Sequence, residues 1–465
     1  MSFERTVGEL RASGKFFSHD APVYITRAPG RLDLMGGNVD YTGGLVFQAT
    51  IREATWAAAQ IRHDKKIVLF NPQMRQECWL DLVEYDLDSL ITESAVRSQV
   101  NSDSKVRWTA YVLGLFYFLR SRYPEKVKHG ANVYIESTVP LNKGVSSSAA
   151  IEVAVMKAIA AVFGVPLVGV ELAEACQWAE NVIAESGCGI MDQAASVLGD
   201  EGYMLPLLCQ SCLPCPLVKL PAGLRYWGID SGVRHAVTGA EYEAARAAAF
   251  IGYSMICGRE NLNLVIDEKA KIPRYVEPRW NGYLSEIPVS EFRSCYERDL
   301  PLLISGVDIL SKHRIHPDPF SRIRTDQCYR VRTCTRYAIE ENQRIALFVE
   351  LARGAQSSDC ENTFRLMGDL MFQSHWSYTE CGLGCDATDL LVDLVRDECA
   401  ASELYGAKIT GGGGGGTVAV LGREDASDAL QRVVDRYAEA RGIEPYVFDG
   451  SSMGADRFGV KVLAA

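Results

Sequence analysis

The sequence is poor in positive charge. Its 48 Lys and Arg residues are outnumbered by 59 Asp and Glu residues, which gives a formal net charge of -11 at pH 7. A surface that binds nucleic acid needs clustered positive charge to neutralise backbone phosphates. The composition therefore argues against a nucleic-acid partner. Any anionic ligand has to be held locally by backbone N–H groups, helix N-termini or a bound cation.

Long apolar runs are missing as well. The longest uncharged apolar stretch, Ala158 to Val170, contains a proline and is too short to cross a bilayer. The first residues, MSFERTVGELRASGKFF, are interrupted by charges and have no apolar core of the kind that a signal peptide requires. We expect a cytoplasmic protein with no membrane partner.

The 14 cysteines have no secretory context, so we expect reduced thiols rather than a disulfide framework. Cys209, Cys212 and Cys215 form a C-x2-C-x2-C run that resembles part of an iron–sulfur motif. The fourth ligand at the required spacing is absent. Incidental cysteines in or beside a β-hairpin are therefore favoured over a metal site.

Two common nucleotide-binding signatures are also absent. No GxxxxGK[ST] motif occurs, and neither HRD nor DFG is present, which excludes P-loop and protein-kinase mechanisms. A nucleotide site in this chain has to be of another type.

The length and apolar content predict a large globular protein. With 465 residues, of which 48% are apolar, two or three domains are expected. Strand-like and helix-like segments are mixed along the chain. A strand at LRYWGID opens a second half, so we place the domain boundary near Leu220, between residues 1–220 and residues 221–465.

Local patterns predict the individual elements. Strands are predicted at VYITRAPGRLDLMGG, LVFQATI, TWAAAQIR, KIVLF and Ala131–Thr138, and again at AKIT and TVAVLG. Helices are predicted at Trp108–Arg120, Glu241–Ile256 and Asn342–Gly354. Apolar residues recur at helical spacing from Ile151 to Val162.

A Gly/Ser loop precedes that last apolar helix. Gly144, Val145, Ser146, Ser147 and Ser148 stand where free N–H groups and the positive end of the helix dipole converge, which favours binding of phosphate. Serine is also a common N-cap, and from the loop alone the two interpretations are equally supported.

Six consecutive glycines, Gly411 to Gly416, form a second unusual segment. A glycine run of this kind can be a flexible linker, but linkers lie between polar tracts. Here the run lies between two apolar strands, so a functional loop lined by backbone is favoured.

Three segments coincide with known motifs. APGRLDLMGGNVDYTGG, PLNKGVSSSAA and KITGGGGGG resemble, in order and spacing, the three motifs of the GHMP kinases, which include galactokinases, homoserine kinases and mevalonate kinases. RWTAY, CGIMDQ, IDSGVRH, SHWSY and FDGSSMGADRFG extend the resemblance over nearly the whole chain. Within the family, these segments resemble galactokinases and, more closely, the kinase region of L-arabinokinases.

The resemblance implies a fold and an activity. It implies two α+β domains, an N-terminal α/β domain and a ferredoxin-like C-terminal domain, with the active site in the cleft between them. It also implies a kinase that uses ATP and Mg²⁺ to phosphorylate a sugar at its anomeric hydroxyl.

Residue roles follow from the matched motifs. Asp192 matches the catalytic aspartate, which accepts the proton of the sugar hydroxyl or orients that hydroxyl, and Arg31 matches the arginine beside it. An arginine there stabilises the ionised aspartate and the charge that develops during transfer. Ser148 and Glu180 match the ligands of the cation.

The remaining matches divide between nucleotide and sugar. The positions matching the nucleotide site are Trp108, Tyr111, Lys143, Gly144, Val145, Ser146, Ser147, Ser148, Gly411 and Gly412. The positions matching the sugar site are Gly37, Asn38, Asp40, Cys188, Gly189 and Tyr242.

One departure bears on the substrate. Galactokinases typically show Gly-Glu-His-x-Asp where this chain has Gly36, Gly37, Asn38, Val39 and Asp40, so a carboxylate and an imidazole near the C6 end of the sugar are absent. L-Arabinose has the ring configuration of galactose without the C6 hydroxymethyl group. A carboxylate with no hydroxyl to bond would be costly to bury, so its absence favours a pentose.

Three alternatives remain open. Galactokinase is the nearest one. A uronic-acid 1-kinase is disfavoured because a uronate carboxylate would require a cation that the motif does not supply. A non-catalytic sugar sensor on the same scaffold is disfavoured because SSSAA, Arg31 and Asp192 are all present. The sequence leaves the oligomeric state open.

Overall fold

The structure is a computed structural model that describes residues 2–210, 212–234, 240–266, 273–275, 279–312, 318, 320–355, 360–401 and 403–464. The helices are α1 Phe3–Ala12, α2 Glu93–Val100, α3 Ala110–Arg122, α4 Ser147–Val162, α5 Gly169–Val182, α6 Met191–Leu198, α7 Ala240–Arg259, α8 Val289–Glu291, α9 Gly306–Lys312, α10 Val331–Gly354, α11 Glu361–Glu380, α12 Asp386–Glu398, α13 Ser427–Arg441 and α14 Ala455–Phe458. The strands are β1 Val23–Met35, β2 Leu45–Ile61, β3 Lys66–Phe70, β4 Leu82–Asp86, β5 Ala131–Ser137, β6 Tyr203–Leu208, β7 Leu213–Pro214, β8 Val218–Lys219, β9 Leu224–Asp230, β10 Leu264–Ile266, β11 Pro273–Tyr275, β12 Ile304–Ser305, β13 Cys328–Tyr329, β14 Leu404–Ile409, β15 Thr417–Arg423, β16 Val447–Asp449 and β17 Lys461–Leu463.

A nine-stranded mixed sheet forms the first half of the molecule. Its main path runs β17-β1-β2-β5-β3-β4, and β6 continues it from the first residues of β2. The prediction of two separate strands at LVFQATI and TWAAAQIR was wrong, because they form the single strand β2 of 17 residues. Its polar Arg52 and Glu53 interrupt the apolar pattern in sequence without ending the strand.

The apolar helix α4 covers this sheet. It is buried along nearly its whole length and packs on β1 and β2. Strand β2 carries the small residues Ala54, Ala57, Ala58 and Ala59. The Thr26 hydroxyl of β1 donates to the Ala154 carbonyl of α4 at 2.6 Å. Small side chains on β2 let the helix approach closely, and this packing fixes where the N-terminus of α4 lies.

A four-stranded antiparallel sheet, in the order β14-β15-β9-β16, forms the second half. Helices α12 and α13 bury a separate apolar core against it, which contains Trp227, Leu391, Val433 and Tyr437. The predicted strands at LRYWGID, AKIT and TVAVLG are all present in it. The predicted helix Asn342–Gly354 is the second half of a longer one, because α10 begins at Val331.

The predicted domain boundary can be compared with the two sheets. The boundary at residue 220 falls between β8 and β9, which belong to different sheets. Strand β17, near the end of the described chain, returns to the first sheet and pairs with β1. The boundary itself stays a prediction.

The cysteines Cys209, Cys212 and Cys215 lie at and beside the β6–β7 turn, where Leu208 pairs with Leu213. Among the described residues, no helix combines the length and apolarity needed to cross a lipid bilayer.

A fully buried ion pair joins the two sheets. Lys408 of β14 places its Nζ 2.8 Å from Asp33 Oδ2 of β1, and neither side chain has measurable solvent exposure. The same Nζ donates to the carbonyl of Ile409, and Gln48 donates to Asp33 Oδ1 at 2.7 Å. The Thr410 hydroxyl accepts from the backbone N–H of Asp33 at 2.7 Å. These contacts hold the end of β1 against the first residue before the glycine run.

We expect Lys408→Met to lower the thermal midpoint strongly, because it leaves Asp33 charged and buried without a partner. Removal of one member of a buried ion pair costs about 3–5 kcal/mol. Adding Asp33→Asn to Lys408→Met should recover part of that loss. Differential scanning calorimetry of the single and double variants measures both effects, and Lys461→Met, at an exposed ion pair with Glu4, is the control. Equal midpoints for Lys408→Met and wild type would contradict the role of the pair.

Candidate active site

A single cavity of about 580 Å³ collects most of the predicted site residues. It lies where the end of β1, the loop before α4, the loop before α6 and the glycine run meet. Of the predicted residues, it is lined by Arg31, Asn38, Asp40, Trp108, Tyr111, Lys143, Gly144, Ser146, Ser147, Ser148, Glu180, Cys188, Gly189, Asp192, Tyr242, Gly411 and Gly412. Segments distant in sequence are therefore brought to one place.

Arg31 and Asp192 form an ion pair at the centre of the cavity. Arg31 Nη2 lies 2.7 Å from Asp192 Oδ1, and Nε donates to the same oxygen at 2.9 Å. Arg31 Nη1 donates to the Gly144 carbonyl at 2.7 Å. The arginine side chain is buried, whereas 22% of the aspartate side chain remains exposed to the cavity. Arg31 therefore holds the Asp192 carboxylate in place, and the exposed part of the carboxylate faces the cavity.

Ser146 occupies the N-cap position of α4, but its side chain does not cap the helix. Its backbone is left-handed, with φ 61°, and its hydroxyl donates to Asp192 Oδ2 at 2.5 Å. Simple capping by this serine is therefore excluded. Gly144 and Asn142 also have positive φ, and such alternation turns successive N–H groups toward one side of a loop.

The glycine run packs directly on this loop. A Cβ at Gly411 would lie 2.6 Å from the Gly144 carbonyl oxygen, and one at Gly416 would lie 2.8 Å from the Lys143 carbonyl oxygen. Only glycine permits this approach at these positive φ angles. The Thr417 hydroxyl donates to the Lys143 carbonyl at 2.8 Å, and Lys143 Nζ forms an ion pair with Asp230 at 2.7 Å. The glycine run is therefore a fixed part of the cavity wall.

Glu180 faces the cavity beside the N-terminus of α4. Burial, and then the negative charge of Asp192, raise its pKa to about 7, while a hydrogen bond from Ser148 opposes the shift. Gln193 donates to Glu180 Oε2 at 2.7 Å and to Glu152 Oε2 at 3.1 Å. Burial and the neighbouring Glu180 raise the pKa of Glu152 far above its ordinary value.

The donor set fits a magnesium ion. Mg²⁺ in phosphate-binding sites uses one or two carboxylates with substrate phosphates and water, so the Glu180 carboxylate and the Ser148 hydroxyl suffice on the protein side. No group of three or more His, Cys, Asp or Glu side chains suited to a metal occurs in the part of the chain that the structure describes. A cage made entirely by protein side chains is therefore not offered there.

Asp40 lies at one end of the cavity, beside Gly189. Its Oδ2 is 1.7 Å from where a Cβ at Gly189 would stand, so glycine is required at position 189 for the carboxylate to occupy this place. Burial, and then the charge of Asp192, raise the pKa of Asp40 to about 6, while Arg246 opposes the shift. Asn38 Nδ2 donates to the Tyr378 hydroxyl at 2.9 Å, and burial raises the pKa of Tyr242.

Aromatic side chains line the end of the cavity opposite Asp40. Trp108 is nearly buried, and its indole N–H donates to the Leu80 carbonyl at 2.8 Å, so the ring orientation is fixed. Tyr111, Met74 and Trp79 complete this end. Flat rings around an apolar recess suit the stacking of a base.

Two predicted residues do not line the cavity. Gly37 packs against Asp33, since a Cβ at position 37 would lie 2.8 Å from Asp33 Oδ2. The Gly37 carbonyl accepts a hydrogen bond from the Tyr337 hydroxyl at 2.6 Å. Val145 is buried, and its carbonyl accepts from the Arg31 backbone N–H at 3.1 Å. Both residues support neighbours that do face the cavity. His235, the last residue of the IDSGVRH segment, lies outside the described residues.

Sequence reasoning missed several lining residues. Arg107, Trp79, Arg246, Phe320 and Ser321 all line the cavity. Arg246 had a usable signal, because it follows Tyr242 by four positions on α7 and so shares its face. Phe320 and Ser321 lie outside every motif, and no local pattern indicates them.

The comparisons with protein families define the class of this protein. Residues 110–200 match the GHMP kinases N terminal domain, residues 349–440 match GHMP kinases C terminal, and residues 14–61 match the galactokinase galactose-binding signature. The chain belongs to the GHMP kinase family, and it is a sugar kinase of the galactokinase and L-arabinokinase type.

Individual relatives narrow the type without fixing the substrate. The chain is 35% identical to L-arabinokinase of Arabidopsis thaliana, over 98% of this chain and 48% of that protein, so it spans about half the length of this relative. It is 30% identical to galactokinase of Chloroflexus aurantiacus, over 93% of each chain.

Solved structures confirm the fold. Lactococcus lactis galactokinase complexed with galactose superposes with a TM-score of 0.75 at 21% identity, covering 97% of this chain and 99% of the other. Methanococcus jannaschii mevalonate kinase gives a TM-score of 0.53 at 14% identity, covering 92% and 98%. The predicted α+β GHMP kinase fold, with N- and C-terminal domains, is confirmed.

We expect Asp40→Asn to raise the thermal midpoint at pH 8 and to leave it unchanged near pH 3. The folded protein disfavours the ionised carboxyl, whose pKa rises from 3.8 to about 6. The cost of burying the charge is therefore absent at low pH, grows as the pH rises between these values and is complete above pH 6. A shift of this size corresponds to about 3 kcal/mol.

Thermal midpoints measured across this pH range check the expectation. Asp20→Asn, at an exposed position, is the control and should follow wild type. A constant difference between Asp40→Asn and wild type at every pH would show that Asp40 does not titrate in this way.

Proposed function

We propose that this protein phosphorylates L-arabinose at its anomeric hydroxyl, with ATP and Mg²⁺, to give L-arabinose 1-phosphate. The observation that carries the proposal is the Arg31–Asp192 pair beside the serine loop. Phosphoryl transfer asks a protein to position a hydroxyl and to offset charge on the transferring group. The cavity provides both functions within one connected set of side chains.

Asp192 is the residue that meets the sugar hydroxyl. Arg31 and Ser146 both donate to its carboxylate, so its orientation is fixed before substrate arrives. The exposed part of the carboxylate accepts the proton of the hydroxyl or orients it for attack. Arg31 pairs with the carboxylate and places positive charge where negative charge grows on the transferring group.

The serine loop and the glycine run hold the phosphates. Ser147 and Ser148 line the cavity at the N-terminus of α4, where the free N–H groups of the first helical turn and the serine hydroxyls are suited to bind phosphate. Ser148 and Glu180 would hold Mg²⁺, which supplies positive charge to the phosphates when bound. Trp108, Tyr111 and Trp79 surround the recess that suits the adenine ring.

The choice of L-arabinose rests on Gly37 and Asn38. Gly37 carries no side chain, and the Asn38 amide is engaged by Tyr378, so neither presents a carboxylate or an imidazole to the sugar. D-Galactose is the second candidate, supported by the galactokinase relatives that match over their full length. Arg246 lines the cavity, but its charge is already matched by Asp318, which disfavours a uronate. The intact Arg31, Asp192 and serine loop disfavour a non-catalytic sensor.

We expect the purified protein to phosphorylate L-arabinose with a higher kcat/KM than D-galactose or D-galacturonate. A coupled assay of ADP release over this panel measures activity and substrate choice together, and ³¹P NMR of the product identifies the phosphorylated carbon. A reversed order of the sugars would overturn the choice of substrate. ADP release without dependence on any sugar would overturn the kinase assignment.

We expect Asp192→Asn to reduce kcat by at least two orders of magnitude while ATP binding is kept. The amide cannot accept a proton, but it preserves the size of the side chain and the first turn of α6. Calorimetric titration with a non-hydrolysable ATP analogue measures the binding. Asp386→Asn, in the first turn of α12 and exposed, is the matched control and should keep full activity. Retained turnover in Asp192→Asn would remove this residue from the proposed role.

A further inference from the structure

Arg246 of α7 is a buried cation at the Asp40 end of the cavity. Its side chain is 6% exposed and forms a bidentate ion pair with Asp318, with Nε and Nη2 each 2.8 Å from a carboxylate oxygen. The Asp318 side chain is 1% exposed. A bidentate pair of this kind fixes geometry as well as charge.

Asp318 uses the same carboxylate to shape a short turn. Its oxygens accept from the backbone N–H groups of Phe320 and Ser321, both at 3.2 Å, and from the Ser321 hydroxyl. The N–H of Arg322 donates to Glu243 of α7 at 2.9 Å, one turn of helix from Arg246. The turn is therefore tied to α7 at two points.

Arg246 also contacts the two segments that carry the predicted sugar-binding residues. Its Nη1 donates to the carbonyl of Gly187, the residue before Cys188 and Gly189, at 3.0 Å. Its guanidinium carbon lies 4.7 Å from the ring centroid of Tyr41, which follows Asp40. One side chain therefore links three separate segments around the sugar end.

The turn forms a wall of the cavity that no motif indicates. Phe320 and Ser321 line the cavity together with Cys188 and Tyr242. Phe320 Cβ lies 3.2 Å from where a Cβ at Gly187 would stand, so the turn rests directly on the sugar-binding loop. Phe320 is 40% exposed, which leaves its ring available to a ligand.

We propose that Arg246 is a positioning residue for the sugar site, and that the turn it holds through Asp318 supplies a further wall of that site, in which Phe320 determines how well a sugar fits. This inference rests on the proposed function. The aromatic ring offers an apolar surface for the C–H face of a sugar, while Asp40 supplies a polar contact on its hydroxyls. Because the wall is held by a charge pair, it is in place before the sugar binds.

The first test is Phe320→Ala. It removes the ring, whose centroid lies 5.5 Å from the guanidinium carbon of Arg246, but leaves the charges and hydrogen bonds of the Arg246–Asp318 pair in place. We expect the KM for the preferred sugar to rise about tenfold, the size of effect given by losing one apolar contact in a binding pocket. The KM for ATP should not change. Trp376→Ala is the matched control, because Trp376 is 39% exposed, lies beside Arg396 and does not line the cavity. An unchanged sugar KM in Phe320→Ala would overturn the role of the wall.

The second test addresses the ion pair. Arg246→Lys keeps the positive charge but loses the bidentate geometry, and Asp318→Asn keeps the size but loses the charge. We expect both to raise the sugar KM at least tenfold, with the affinity for a non-hydrolysable ATP analogue kept. Arg225→Lys and Asp449→Asn are the controls, since they alter another bidentate pair, in the four-stranded sheet. Equal losses of sugar and nucleotide affinity would indicate a merely structural pair and overturn the positioning role.

The outcomes separate this inference from the proposed function. If wild type phosphorylates no sugar, the proposed function fails. If wild type phosphorylates a sugar and the Phe320 and Arg246 variants show unchanged sugar KM, the inference alone fails.

Discussion

Arg31 is the residue on which the geometry of the cleft depends. It lies on β1, yet its guanidinium reaches Asp192 at the start of α6 and the Gly144 carbonyl in the loop before α4. Its backbone N–H donates to Val145 of the same loop. One arginine thus orients both the Asp192 carboxylate and the loop before α4, which the proposed function assigns to the sugar hydroxyl and to the phosphates. The relative position of the Asp192 carboxylate and the loop before α4 therefore depends on Arg31.

The cleft contains more buried acid than buried base, and this has a chemical consequence. Burial raises the pKa of Asp40, Glu152 and Glu180, and the negative charge of Asp192 adds to each of these shifts. A nucleotide triphosphate brings further negative charge to the same place. Of the four basic side chains that line the cavity, Arg31, Arg246 and Lys143 are already paired with Asp192, Asp318 and Asp230. Binding of the phosphates therefore draws on backbone N–H groups and a divalent cation as well. This arrangement agrees with the overall acidity of the chain.

Much of the fold and of the site could be predicted from sequence where local chemistry is decisive. The loop before α4 can be recognised by its serines and by the apolar spacing that follows them. The glycine run can be recognised by its position between two strands. Gly37 and Val145 could not be placed correctly, because which way a motif residue points depends on packing against Asp33 and Arg31, far away in sequence. The sequence predicts two strands in place of β2, because Arg52 and Glu53 interrupt the apolar pattern. Tertiary packing overrides this interruption in the folded chain.

The motifs define the chemistry more sharply than the substrate. In the proposed function, Asp192, Arg31 and the serine loop act on a hydroxyl and a phosphate, groups that every sugar kinase handles, so their spacing is constrained and can be recognised in the sequence. The sugar end is closed by side chains that meet only in the folded chain, among them Arg246 on α7 and the turn at Phe320. On the proposal made above, a change in that turn alters which sugar fits and leaves every motif intact. Chains with identical motifs can then differ in substrate, because the selecting contacts lie between the motifs.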